Sequence, residues 1–156
     1  MDADTQPRLY LDDLKPGMRF TTDKVQVTAE TIKTFARQYD PQPFHLDEAA
    51  AEDSLFGGLA ASGWHTASLS MRLMVTSGIP FAGGMIGAGV ELQWPAPTRP
   101  GDELHVVMEI QDIIPSRSKP DRGIVLLENR TLNQHDEAVQ IMHAKVVAFR
   151  RPAQAE

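Results

Sequence analysis

Two titratable residues, Asp40 and His45, lie five positions apart in the stretch "YDPQPFH", with Pro41 and Pro43 between them. A carboxylate and an imidazole within reach of one water can take a proton from it and pass a proton on, work typically worth roughly 10²–10⁴-fold in rate. Each proline fixes its own φ, so the loop that carries both groups has little backbone freedom to lose. A second feature follows at Ser62 and Gly63, which open a long apolar run. Free N–H groups at a helix start, with the positive end of its dipole, favour developing negative charge. A glycine there lets a carbonyl approach the backbone, and an oxyanion donor is typically worth about 2.7–4 kcal/mol in a transition state. Ordinary structure accounts for the same residues: Asp and Pro frequent turns, and a Ser cap followed by a packing glycine begins many helices. His65, just inside the run, either lines the same cavity or is a hydrogen-bonded core histidine.

The elements that must position these groups are legible in outline. "RFTTDKVQVT" reads as a modest strand after a turn at Pro16 and Gly17. Thr28 is placed to cap "AETIKTFARQY", whose Ile32, Phe35, Ala36 and Tyr39 recur at helical spacing. Pro41 disfavours helical geometry at Asp40, so that helix should stop there. Asp47 is placed to cap a short helix through "EAAAEDS", ended by Gly57 and Gly58. From Ser62 to about Val75, the stripe Trp64, Ala67, Met71, Met74 and Val75 predicts a mostly buried helix. Four β-favouring runs follow, and in one of them Leu104, Val106, Met108 and Ile110 alternate, the mark of a strand with one buried face. A strand, a buried helix and four consecutive strands predict an α+β fold built on an antiparallel sheet.

Composition excludes several classes. The 156 residues carry 42% hydrophobic and 23% charged side chains, ordinary for a folded domain, and a net charge of -6. That balance argues against binding driven by phosphate neutralisation, so nucleic acid is not an expected partner. With no cysteine, thiolate chemistry is out of reach. His105, His135 and His143 show no tight ligand spacing, so no metal is expected. "GGMIGAG" sits in a strand-like run, where glycines mark a bulge more readily than a phosphate cradle, and no G-x-S-x-G elbow is present. The acidic N-terminus and the lack of a roughly 20-residue apolar window predict a cytoplasmic protein with no membrane partner.

Three motifs in order, "YDPQPFHLDEAAA", "FGGLAASGWHTASL" and "GVELQWPAPTRPGDEL", make the chain resemble the MaoC-like dehydratases, which include the R-specific enoyl-CoA hydratases. The resemblance implies a hotdog fold, a curled antiparallel sheet wrapped around one long central helix, in a single domain over residues 8–151 with flexible ends at 1–7 and 152–156. It implies reversible hydration of a trans-2-enoyl-CoA. Asp40 and His45 match the family's water-activating pair, and Gly63 matches the glycine whose N–H polarises the thioester carbonyl. Ser62, Gln42, Phe44 and His65 are the candidates for substrate contact, and no cofactor is implied. Gln42 stands where the family pattern often has asparagine, and Ser62 where many R-hydratases have histidine. A homodimer or dimer-based homo-oligomer is implied because hotdog sites commonly form between two chains. A hotdog thioesterase and a non-catalytic acyl-thioester binding module are the alternatives. Arg99, Arg117, Lys119 and Arg122 are candidates for the CoA phosphates, with solvated surface charge the competing account of each.

Overall fold

The computed structural model describes residues 7–153, so of the two ends expected to be flexible, residues 1–6 and 154–156 lie outside the described residues. Where one early strand was expected there are two, β1 (Arg19–Thr21) and β2 (Val25–Gln26), both paired with β4 (Glu103–Pro115). Three helices follow: α1 (Ala29–Tyr39), α2 (Pro43–Leu46) and α3 (Glu48–Glu52). The long helix α4 (Gly63–Ser77) precedes β3 (Ile86–Gln93), and β5 (Arg122–Leu132) and β6 (Ala138–Phe149) close the chain. The named strands pair antiparallel in the order β1-β4-β5-β6-β3, with β2 also on β4. Between Gly87 and Gly89 the register with β6 shifts, the irregularity that glycines inside a strand announced.

Alternation on β4 sets the core. Leu104, Val106, Met108 and Ile110 are wholly buried, and full burial of such a side chain contributes about 1.5–3 kcal/mol. Leu73 and Met74 of α4 join Val106, Met108 and Ile110 with Val125 and Leu127 of β5 and Val146 of β6. A second cluster, Val27, Ile32, Ala51, Leu59, Ala61, Leu104 and Val139, seats α1, α3 and the segment before α4 against the sheet. It fixes both sides of the candidate site.

The face that α4 buries differs from the expected stripe. His65, Thr66, Ser70, Leu73 and Met74 are buried, whereas Trp64 is 60% exposed and Val75 54%, with Met71 also exposed. The reason lies in the facing strand. Ser70 Oγ donates to Thr66 O at 2.7 Å and meets Thr131 Oγ1 of β5 at 2.6 Å, so the hydroxyls enter the core already paired. Among the described residues, no helix is long and apolar enough to cross a membrane.

Candidate active site

Asp40 is the residue that caps the C-terminal end of α1. Thr28 caps the start of α1, its Oγ1 accepting from Thr31 N, and Pro41 stops its end. Asp40 itself keeps one helical bond, N–H to Ala36 O at 2.9 Å, while its φ of -151° turns the chain out of the helix. His45 does not sit in a loop as expected. Pro43 opens the single helical turn α2, where its missing N–H costs nothing, and α2 carries His45 into a buried position. One turn of helix has too few residues to leave a periodic pattern, so no sequence signal identified α2.

The pair closes to 3.3 Å between His45 Nε2 and Asp40 Oδ2. His45 Nδ1 lies 2.7 Å from Ala60 O, and because a carbonyl can only accept, Nδ1 is the protonated nitrogen. Nε2 is therefore the nitrogen left to exchange a proton, and it faces the carboxylate. Burial pushes the Asp40 pKa up, but hydrogen bonds from Ser62 and Gln42 and the charge of His45 more than offset it, leaving the group below its ordinary value. Asp40 stays a carboxylate. Nε2 and Oδ2 stand close enough for one small donor, such as a water, to reach both.

The candidates for substrate contact prove to have other attachments. Gln42 Nε2 donates to Asp40 Oδ1 at 2.6 Å, so glutamine does anchor the loop where the family pattern has asparagine. Ser62 Oγ accepts from Trp64 N at 3.2 Å, and the Ser62 hydroxyl is among the groups that hold the Asp40 pKa down. Phe44 packs edge-on against the His45 ring, at 4.6 Å between centroids. His65 stacks on Phe35 at 4.8 Å, is buried, and does not join the cavity lining; its Nδ1 finds no partner among the described residues, so it is not the hydrogen-bonded core histidine either.

At the start of α4, Trp64 N is taken by Ser62 Oγ, while His65 N and Thr66 N both reach Ser62 O, at 2.9 and 3.1 Å. Among the described residues, Gly63 N–H has no acceptor. Gly63 lines a cavity of about 200 Å³ together with His45, Phe56, Thr66, Trp94 and Thr98. Pockets that engulf a drug-sized ligand run about 300–1,000 Å³, so this one suits the end of a small chain. Trp94, Thr66, Thr98 and Phe56 were not foreseen as site residues. Trp94 is held by its Nε1 donating to Gln140 Oε1 at 3.0 Å, and its ring lies so close to Gly63 that a Cβ there would meet it at 2.7 Å. Glycine is thus required by the indole as well as by any carbonyl.

Arg99 is not a free surface cation: its guanidinium bonds Gly58 O at 2.9 Å, Leu59 O at 3.3 Å and Phe56 O. Arg122 is paired with Asp121 and lies over Phe149.

The MaoC like domain matches residues 13–130. The crystal structure of a MaoC-like dehydratase from Rhodospirillum rubrum is 62% identical, covers 93% of this chain and 99% of its own, and superposes with a TM-score of 0.92. The 3-hydroxybutyryl-CoA dehydratase of Methylorubrum extorquens is 31% identical over 112 residues, 71% of this chain and 69% of that protein. The (R)-hydratase from A. caviae is 26% identical with a TM-score of 0.69, over 87% of this chain and 97% of its own. With its hotdog fold and a match over most of its length, the chain belongs to the MaoC-like dehydratase family.

Proposed function

We propose that the protein catalyses the reversible addition of water to a trans-2-enoyl-CoA, giving a 3-hydroxyacyl-CoA. The observation that carries this reading is the free Gly63 N–H on the same small cavity as His45, whose Nε2 faces the Asp40 carboxylate. In the forward step a water held between Oδ2 and Nε2 gives its proton to Nε2 as its oxygen bonds to the β-carbon. The double-bond electrons move to the thioester oxygen, where Gly63 N–H and the start of α4 stabilise the charge. The imidazolium then donates to Ala60 O and to Asp40, and Nε2–H returns the proton to the α-carbon. One group takes and returns the proton, so the chemistry needs no redox cofactor or metal. The names of the M. extorquens dehydratase and the A. caviae hydratase support the reaction class.

We further propose that the working unit is a homodimer, formed through the exposed face of α4 and the free edge of β3. Crotonyl-CoA tests the reaction, with enoyl absorbance and free thiol followed together. Loss of absorbance without thiol release is expected. Thiol release would make the protein a thioesterase, and no change in either signal would make it a binding module.

A further inference from the structure

Thr66 and Thr98 meet across the cavity wall with their hydroxyl oxygens 2.9 Å apart, and each residue is only 2% exposed. Two hydroxyls carry two protons, and one mutual bond uses one of them. Among the described residues neither oxygen meets another acceptor, so one O–H is left over. The neighbouring pair is different: Ser70 donates to Thr66 O and can accept from Thr131, leaving no proton unused. The spare donor therefore belongs to the pair that lines the cavity.

We propose, resting on the function above, that this spare hydroxyl binds an oxygen on the acyl chain. The substrate would then be a short enoyl thioester with a neutral oxygen acceptor, a hydroxyl, ether or ketone, beyond the double bond. Thr66 follows Gly63 by three residues, which is about 4.5 Å along a helix rising roughly 1.5 Å per residue. With the carbonyl on Gly63 N–H, that length is spanned by about three to four bonds of an extended chain. A carboxylate is a poor occupant, because among the described residues no lysine or arginine lines the cavity and Arg99 is committed to backbone carbonyls. A plain hydrocarbon would cover the donor and leave it unpaired, the situation in which polar sites discriminate most strongly.

The test compares kcat/KM for 4-methoxy-2-butenoyl-CoA and 2-hexenoyl-CoA, which have equal numbers of chain atoms. The wild-type protein is expected to favour the ether at least tenfold. A single Thr→Val change still leaves one hydroxyl with a free proton, so the informative variant is the double one, Thr66→Val with Thr98→Val. Its ratio should fall to about one, and the ratio is internal to each variant, so a loss of overall rate does not affect it. A wild-type ratio at or below one, or an unchanged ratio in the double variant, overturns the inference. If neither enoyl thioester turns over, the proposed reaction fails. The inference is then decided by calorimetric binding of the saturated pair, 4-methoxybutanoyl-CoA and hexanoyl-CoA, with the same ratios expected.

Discussion

At the scale of single residues, the site depends on who holds which proton. Nδ1 of His45 is committed to Ala60, so His45→Gln removes the only nitrogen of that ring able to accept from water. Asp40→Asn replaces an acceptor-only group with one that also donates, and Gln42 would then face an amide where it had a carboxylate. Each substitution should lower hydratase turnover at least about a hundredfold with the unfolding curve little changed; near-normal rates in both would remove these residues from the chemistry. His65 invites a stability measurement instead. Burial depresses its pKa, so the folded state binds that proton more weakly than the unfolded chain does. Its contribution is therefore intact above about pH 6.5 and is lost as the pH falls toward the depressed folded value, because the unfolded chain protonates first. His65→Phe keeps the stack on Phe35 and deletes the unpartnered Nδ1. Urea unfolding from pH 7.5 to 5 should show the wild-type protein losing stability relative to the variant, and parallel pH curves would contradict the account.

At the scale of elements, the site is set by a strap between the segment before α4 and the segment joining β3 to β4. Ala61 N donates to Thr98 O at 2.9 Å, and Arg99 holds the carbonyls of Phe56, Gly58 and Leu59 just before Ala60, whose own carbonyl fixes the His45 tautomer. Arg99→Ala leaves those carbonyls without their donor and should cost about 1–3 kcal/mol in urea unfolding. It should also lower kcat more than it raises KM, since the His45 ring loses its support while most of the cavity lining, Gly63, Thr66 and Trp94 among it, is not held by Arg99. Arg99→Lys should behave nearly as badly, because one ammonium cannot reproduce the planar fork. If Arg99→Lys retains full kcat, the strap does not position His45. The reach of sequence reasoning divides along the same line. Local signals, namely the β4 alternation, the Thr28 cap, the Pro41 stop and the Asp40–His45 spacing, pointed to the sheet and to the closeness of Asp40 and His45. Trp94 over Gly63 and Thr66 against Thr98 are meetings between distant segments, and neither spacing nor periodicity encodes them. For α4, apolar periodicity pointed to the wrong face, because hydroxyls that find partners on β5 are as acceptable in the core as methyl groups.

At the scale of the whole molecule, that misread face has its own meaning. Trp64, Met71 and Val75 are exposed on α4, and Ile86 and Val90 on β3. The edge-to-face contact of Trp64 with Trp94, at 5.6 Å between ring centroids, joins the helix face to the end of β3. Among the described residues β3 pairs with β6 on one side only and lies at the end of the sheet order, so its other edge presents backbone groups with no strand partner there. A long, apolar, uncovered edge is what monomeric proteins avoid, and an apolar face continuous with it adds area for a partner to bury. A second copy supplies the same strand and the same helix face, as a two-fold interface requires. A charge at the middle of β3 would have to be buried twice in such a dimer, once from each copy, and would meet its own like. Val90→Lys should therefore turn a species of twice the chain mass into one of the chain mass in sedimentation equilibrium, with the circular dichroism spectrum unchanged. The same variant remaining dimeric would place the interface elsewhere, and a wild-type protein at the chain mass over the whole concentration range would leave the exposed α4 face without a second copy to cover it.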